Sequence, residues 1–238
     1  MADTHETGGA VDVDARVTEV VDLLQRKFPG GPPTDEDVRQ QGFHWSTAQW
    51  RKRWPSELTL PEQLHEEAPT RPYITRQDVF ERAKRVETPS DAVELFLLMA
   101  AWGTGTKARS IARVVPVLHQ DGAPERLLSS TRAAQEGDPV EAYRRLYSYK
   151  HDRIKHLGPA FFTKWLYFSA HDLSESDSSP APLILDKRVA ESLGWPPHGW
   201  SATKYGEYLN LSTAVRDAWA PNEPTHVIEY ALFKPQDL

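Results

Sequence analysis

Lys164 and Asp186 are the two residues whose types and surroundings best suit covalent chemistry. Lys164 lies in a predicted helix among Phe161, Phe162 and Trp165. A lysine that aromatic neighbours shield from water loses its preference for the charged form, and its free amine becomes a usable nucleophile. Asp186 begins a predicted helix 22 positions later, where an N-cap carboxylate stays ionised and can face a cation or an attacking group. The pair predicts catalysis by an amine nucleophile.

A solvated surface lysine is the alternative interpretation of Lys164. On a helical wheel Phe162, Trp165 and Leu166 group on one side, and Lys164 lies toward the other. That position is compatible with simple exposure to solvent and with a face that lines a cleft. Asp186 is predicted as a helix N-cap under either interpretation.

The segment from Tyr149 to Ala160 has the pattern of a helical hairpin, with a tight turn at Leu157-Gly158-Pro159. Glycine lets the backbone approach a phosphate, and the helix that follows presents free N–H groups and its positive end. Basic residues that could neutralise phosphates lie around it, at Arg144, Arg145, Lys150, Arg153 and Lys155. The pattern predicts contact with a nucleic-acid backbone, although an ordinary helical hairpin with a solvated basic face remains open.

The net charge of −6 counts against a nucleic-acid partner, but the charge is unevenly distributed. Residues 1–40 hold 4 basic and 9 acidic residues, and residues 165–238 hold 5 and 10. Residues 101–164, which contain the hairpin and end at Lys164, hold 11 basic and 6 acidic residues. DNA would meet this basic block, and the acidic ends predict a weak non-specific affinity.

The composition excludes several classes of site. The chain has no cysteine, so disulfides, thiolate zinc sites and cysteine nucleophiles are ruled out. Its nine histidines show no metal-ligand spacing, and we predict no metal centre. No signal-type segment and no stretch approaching 18 apolar residues is present. We expect a soluble, cytoplasmic protein without membrane contact.

Helix-start signals predict an all-α fold. Thr75 and Asp78 form a capping-box pattern that predicts a helix through about Val86. The sequence Thr88-Pro89-Ser90-Asp91 precedes an apolar segment, which we predict to be the central buried helix. Further helices are predicted from about Val13 to Lys27, in 107–118, after Asp138, after Pro159, after Asp186, from about Thr203 to Trp219 and near Val227–Phe233. The run PLIL at 182–185 is too short to make a sheet.

The chain divides into a disordered acidic N-terminus (1–12), an N-terminal helix with an irregular Trp-rich cover (13–74) and a helical core (75–238) with the hairpin at about 150–164. Residues 42–72 read as irregular. Trp45, Trp50 and Trp54 surround Arg51–Arg53, and packing over the core is favoured over a surface that stacks on bases.

Trp102-Gly103-Thr104-Gly105-Thr106-Lys107 is only superficially a phosphate loop. It lacks the G-x-x-x-x-G-K-[ST] spacing and follows no strand, so a nucleotide site is rejected. The glycines predict a helix bend or a close approach of backbone to DNA or a base pocket. Trp102 could then form a pocket wall, although a buried core position is favoured.

The hairpin is followed by the lysine, then by a proline-bearing loop and the capping aspartate. This order resembles the helix–hairpin–helix DNA glycosylase superfamily. The resemblance is closest to its 8-oxoguanine glycosylase branch, including the archaeal type. The resemblance covers roughly residues 89–235 and implies a two-lobed helical fold. It implies that Lys164 attacks the sugar C1′ and leaves a Schiff base, from which strand nicking follows. Asp186 would stabilise the developing oxocarbenium charge or help to activate the lysine. Phe168, Trp102 and Phe233 would contact the extruded base.

The same resemblance implies how DNA is held. Leu157 and Gly158 would give backbone contacts to a phosphate, with a monovalent cation at the hairpin as the one possible cofactor. Lys155, Arg153 and Lys150 would contribute charge. The partner would be double-stranded DNA, bound by a nucleoid-associated monomer.

One departure keeps other functions open. Many relatives place the lysine two residues after the last hairpin glycine, where this chain has Ala160, and Lys164 stands six residues after Gly158. This spacing fits the archaeal-type arrangement better. If the hairpin is instead aligned so that Ala160 takes the place of the lysine, the nucleophile is missing. The protein would then be a non-enzymatic DNA-binding module. An unrelated helical interaction domain, and a glycosylase that attacks hypermodified bases of phage DNA in defence, are further alternatives.

Overall fold

The computed structural model describes residues 13–136, 138–147, 153–173 and 180–234. Of these residues 63% are helical, in twelve α-helices and three short 3₁₀ turns, and the described part contains one two-stranded sheet. The predicted all-α fold is confirmed. Within the same residues, no helix combines the length and apolarity needed to span a bilayer.

The helices are named here in chain order. They are α1 (Val13–Lys27), α2 (Asp35–Arg39), α3 (Thr47–Arg51), α4 (Arg76–Ala83), α5 (Pro89–Thr104), α6 (Ala108–Val114), α7 (Ala123–Glu136), α8 (Pro139–Tyr147), α9 (Pro159–Ala170), α10 (Lys187–Ser192), α11 (Ala202–Trp219) and α12 (His226–Phe233). The strands β1 (Gly42–His44) and β2 (Tyr73–Thr75) pair antiparallel, with Phe43 opposite Ile74. Residues 42–72, read as irregular from the sequence, therefore contain a strand and a short helix.

Threonine caps start the helices at the predicted places. Thr75 and Thr88 each accept a hydrogen bond from the backbone N–H of an aspartate three residues later, and that aspartate accepts one from the backbone N–H of the threonine. Helix α4 ends at Ala83, three residues earlier than predicted. The chain leaves the helix there because the N–H groups of Glu87 and Thr88 both donate to Asp91, which starts the next cap.

Helix α5 is buried, as its apolar sequence predicts, and it packs against α7 and α9. The hydropathy pattern does not reveal α7, because part of its buried face is made of Ser130 and Thr131. Ser130 accepts a hydrogen bond from Trp165 Nε1 of α9 at 2.8 Å, and Thr131 donates to the Leu127 carbonyl. A polar residue satisfied by a distant helix cannot be recognised as buried from its neighbours in sequence.

The tryptophans of the N-terminal part pack against the core, as favoured from the sequence. Trp45 and Trp50 are buried, and Trp54 is partly buried. Arg51 donates to the Leu64 carbonyl at 2.6 Å, and Arg53 donates to the Gln49 carbonyl. These arginines hold the cover together through backbone groups.

A fully buried ion pair and its hydrogen bonds join four parts of the chain. The Arg76 guanidinium, at the start of α4, lies 2.6 Å from Glu229 of α12 and donates to Tyr167 Oη of α9 at 2.9 Å. Its Nε donates to the side chain of Gln41, just before β1. Burial raises the pKa of Glu229, and the charge of Arg76 only partly offsets this. Each charge is therefore tolerated in the interior because the other is present.

Next to this pair two buried histidines stack face to face. The His171 and His226 rings are 4.3 Å apart. His226 connects Tyr167 Oη to Asp35, with Nε2 lying 2.6 Å from an Asp35 oxygen, and His171 contacts the Pro182 carbonyl through Nδ1. Burial lowers the pKa of both rings, and for His171 the neighbouring His226 lowers it further.

Replacing Arg76 by methionine should lower the free energy of unfolding by about 3–5 kcal/mol, because Glu229 stays buried without its partner. Urea unfolding followed by tryptophan fluorescence measures the change. Arg216→Met is the matched control: its partner Asp217 is largely exposed, and the loss should stay below about 1 kcal/mol. Equal losses in the two variants would contradict the importance given to the buried pair.

Stability should fall as the pH drops from 7.5 to 5.5. Below a pH of about 6.5 the unfolded chain binds protons at its histidines, whereas buried His171 and His226 in the folded chain do not. We expect a total loss of about 1–3 kcal/mol, measured by urea unfolding at each pH.

In His171→Asn, which keeps a donor for the Pro182 carbonyl, this pH dependence should flatten. It should persist in His198→Gln, since His198 is exposed. The raised pKa of Glu229 acts in the opposite direction, but it is common to both variants, so the difference between them isolates the histidine. A pH dependence unchanged by His171→Asn would show that the stacked rings are not its source.

Candidate functional site

A cleft of about 590 Å³ opens where five elements meet. Its walls come from β1, the end of α5 with the loop that follows, and the first turns of α9 and α10, together with the end of α12. The lining residues are Phe43, His44, Trp102, Gly103, Thr104, Gly105, Thr106, Lys107, Ala160, Phe161, Lys164, Asp186, Lys187, Arg188 and Phe233. The predicted catalytic residues and two of the three predicted base-binding residues therefore share one cleft.

Lys164 lies in the middle of α9 with its amine at the floor of the cleft. The residue is only 8% exposed, so the alternative of a solvated surface lysine is wrong. Nζ donates to Asp186 Oδ2 at 2.9 Å and to the Ala160 carbonyl at 3.2 Å. Gly103 lies against its alkyl chain: a Cβ at that position would be 3.6 Å from Lys164 Cδ. A carboxylate and a glycine, as well as aromatic rings, surround the amine.

Asp186 is both an N-cap and the partner of Lys164. Its Oδ1 accepts hydrogen bonds from the N–H groups of Arg188 and Val189, which leaves Oδ2 for the lysine. Burial by itself would raise the pKa of Asp186, but the charge and hydrogen bond of Lys164 and the two N–H groups lower it below its usual value. The carboxylate is therefore ionised and fixed in orientation.

The segment before Asp186 reaches its position without a sheet. Residues 182–185 are buried, and side chains satisfy their backbone groups. Tyr205 Oη bonds both the N–H and the carbonyl of Leu183, and Tyr208 donates to the Ile184 carbonyl. Thr163 Oγ1 accepts a hydrogen bond from the Leu185 N–H at 3.2 Å and donates to the Leu185 carbonyl at 3.1 Å. Since Thr163 and Leu185 directly precede Lys164 and Asp186, this contact brings the two chemical groups together.

Aromatic side chains form the walls beside the amine. Trp102 is 3% exposed, and its Nε1 donates to the Gln41 carbonyl at 3.0 Å. Phe43, 37% exposed, meets Trp102 edge-on with ring centroids 5.4 Å apart. Phe233 lines the cleft from the end of α12, under the guanidinium of Arg188 at 5.1 Å. Trp102 is thus at once a packed core residue and a wall of the cleft.

Phe168 does not line the cleft. It is 1% exposed and packs against Phe80 and the edge of Trp102, with ring centroids 5.4 Å and 5.3 Å away. One helical turn beyond Lys164 the side chain points into the core instead of the opening. The predicted direct contact between Phe168 and a base is not available in this conformation, and Phe168 supports Trp102.

The hairpin lies directly before the helix that carries Lys164. Gly158 is the exposed N-cap of α9 with extended backbone, and open space surrounds its Cα. Leu157 is buried and its N–H donates to the Ile154 carbonyl at 3.2 Å, so its backbone contact with a phosphate stays a prediction. Lys155 is exposed and Arg153 is half-buried, while Lys150 lies outside the described residues.

Several cleft residues were not predicted as site residues. Phe43 and His44 come from β1, far from Lys164 in sequence, and no local pattern marks them. Lys187 and Arg188 directly follow Asp186, so their place at the rim could have been inferred from it. Together with Lys107 they are exposed, and Lys187 has a 3.5 Å ion pair with Glu191. The cleft thus has a basic rim around an acidic and aromatic interior.

The comparisons with known proteins identify the family. Residues 36–233 match the family model described as "Putative 8-oxoguanine DNA glycosylase OGG-like protein". No curated protein and no solved structure gives a significant match. The matched range contains every residue of the cleft, from Phe43 to Phe233. The predicted resemblance to 8-oxoguanine glycosylases is confirmed, and the chain belongs to this OGG-like family of DNA glycosylases.

Proposed function

We propose that the protein is a DNA glycosylase with lyase activity that takes a modified base, 8-oxoguanine first among the candidates, out of double-stranded DNA. Lys164 is the nucleophile and Asp186 its partner. The observation that carries the proposal is the 2.9 Å ion pair between Lys164 Nζ and Asp186 Oδ2 at the floor of an aromatic cleft. A chain that only bound DNA would not need a buried amine and carboxylate in contact there.

The proposed reaction begins with transfer of a proton from Lys164 to Asp186 or to solvent. The neutral amine then attacks C1′ as the N-glycosidic bond breaks, and the base leaves with the bonding electron pair and takes up a proton. Sugar ring opening, in which O4′ takes up a proton and the amine loses one, gives the Schiff base between Nζ and C1′. In the β-elimination that follows, a base removes a proton from C2′ and the C3′–O bond breaks, with the 3′ phosphate taking the bonding electrons. Where the proton goes to solvent, Asp186 stays ionised and would stabilise positive charge on the sugar.

The aromatic walls suit an extruded base. Trp102, Phe43 and Phe161 lie at the side of the cleft next to Lys164, and Phe233 lies at the end of α12. A flipped base is held by stacking and by hydrogen bonds to its edge. For Phe233 to stack on a base, Arg188 has to share or leave the ring face it now covers.

The hairpin and the basic rim suit the DNA backbone. Gly158, Lys155 and Arg153 of the hairpin would meet phosphates on one side, and Lys107 and Lys187 would meet them around the opening. The monovalent cation implied at the hairpin would need carbonyl oxygens. The Ile154 carbonyl already accepts from Leu157, and the Lys155 carbonyl from Gln120. Each of these carbonyl oxygens keeps a second lone pair, so a cation at the hairpin stays a prediction, and the proposed reaction does not require it.

Borohydride trapping tests the nucleophile. With a duplex that carries 8-oxoguanine, reduction of the Schiff base should leave a covalent protein–DNA adduct, seen as a shifted band on a denaturing gel. Lys164→Met should abolish the adduct while duplex binding is retained, and the exposed Lys52→Met should leave it unchanged.

Trapping, together with assays of duplex binding and base release, separates the proposed glycosylase from the alternative functions. An adduct that survives Lys164→Met would refute this nucleophile. Duplex binding without base release from a panel of oxidised and hypermodified bases would instead identify a DNA-binding module. Release of hypermodified bases alone would favour a role against phage DNA over general repair.

Asp186→Asn should slow base release by roughly 10²–10⁴-fold in single turnovers, because the amide cannot accept the lysine proton or stabilise positive charge. Asparagine is also a good N-cap, so α10 should persist and circular dichroism should be unchanged. Asp186→Ala, which removes both the cap and the charge, separates the two roles. A rate within threefold of wild type for Asp186→Asn would reduce Asp186 to a structural cap.

A further inference from the structure

The hairpin turn contains a strained residue. Leu157 N–H donates to the Ile154 carbonyl at 3.2 Å, which closes a four-residue turn over Lys155 and His156. His156 has a φ of 70°, and within the described residues it is the one non-glycine residue with positive φ. A side chain in this left-handed region raises the energy of the backbone, so the conformation persists only where the surroundings hold it.

Gln120 supplies that hold from a distant part of the chain. It follows the 3₁₀ turn Val115–Val117, and its side-chain amide lies against the backbone of Lys155. Oε1 accepts from the Lys155 N–H at 3.0 Å, and Nε2 donates to the Lys155 carbonyl at 2.6 Å. Both polar backbone groups of one turn residue are thus satisfied by one side chain, in the manner of a neighbouring strand.

The amide is itself held in place. Nε2 also lies 3.1 Å from the Pro116 carbonyl and 3.3 Å from the Val117 carbonyl. Its contact therefore ties the hairpin to the 3₁₀ turn Val115–Val117, which directly follows α6. The turn it holds carries exposed Lys155 and His156 side chains beside exposed Gly158.

We propose that Gln120 is a positioning residue of the DNA site, which holds the hairpin in its phosphate-binding conformation and presents His156 and Gly158 to a phosphodiester group of duplex DNA. The inference rests on the proposed function, since it assigns the hairpin to the DNA backbone. A turn that is already ordered in the free protein loses less conformational entropy when DNA binds. The affinity for DNA is therefore higher. Gln120 itself touches no phosphate.

The free protein tests the clamp without DNA. Gln120→Met keeps the length of the side chain and removes both hydrogen bonds. Amide hydrogen exchange at Lys155 and Leu157 should accelerate at least roughly tenfold, with the amides of α5 and α9 unaffected. Gln135→Met is the matched control, because Gln135 donates to the Ser169 carbonyl, away from the hairpin. Exchange unchanged in Gln120→Met would overturn the proposal.

Duplex binding tests the consequence. In Gln120→Met the dissociation constant should rise roughly tenfold, while the single-turnover rate at saturating protein stays within twofold of wild type. The slope of log Kd against log salt should not change, since no phosphate contact is removed. Lys155→Met removes one phosphate contact, so it should reduce the magnitude of that slope by about one. Affinity equal to wild type, or a loss of rate matching the loss of affinity, would overturn the proposal.

A double-mutant cycle tests the link to strain. His156→Gly lets the turn adopt positive φ without cost, so Gln120→Met should weaken binding less in that background than in wild type. Strictly additive losses would contradict the mechanism. Wild-type protein that binds no duplex and releases no base would refute the proposed function instead. The exchange measurement on the clamp would still stand, so the two failures are distinguishable.

Discussion

The buried pair of Arg76 and Glu229 is the interaction on which the arrangement of the cleft depends. Leaving either charge in the interior alone costs about 3–5 kcal/mol, so the folded state favours contact between α4 and α12. The same guanidinium bonds Tyr167 of α9 and lies 4.9 Å from the Trp102 ring. The helices that carry the lysine, the tryptophan wall and Phe233 are therefore tied to one point.

Elsewhere in the structure, side chains satisfy backbone polar groups that a sheet would satisfy with neighbouring strands. The Tyr205 and Tyr208 hydroxyls and Thr163 Oγ1 bond the backbone of 182–185, and Gln120 bonds the backbone of Lys155. A hydroxyl or amide at the end of a side chain can reach a backbone group across a wider gap between chain segments than a neighbouring strand can bridge. Each such side chain fixes one residue. Such contacts suit a site in which a few groups need accurate positions.

Much of the framework follows from local physics. The capping boxes at Thr75 and Thr88, and the N-cap at Asp186, act through neighbours within a few residues, so their helices could be predicted from sequence. Residue type and order predict Lys164 and Asp186 as a chemical pair, and the structure brings the two side chains into contact. Helix α7, the β1–β2 pairing and the place of Phe43 could not be predicted, because their partners lie far away in the chain.

By itself the sequence determined where most helices begin, which residues could act as amine and carboxylate, and that a basic block ends at the amine. Only the tertiary structure decided that Lys164 is buried against Asp186, that Phe168 faces the core, and that Phe43 joins Phe233 in one cleft. The reason is physical: caps and charge density depend on near neighbours, whereas the side of a helix that meets water depends on what packs against it. The same distinction separates the hairpin, visible as a pattern, from the glutamine that holds it, visible only in three dimensions.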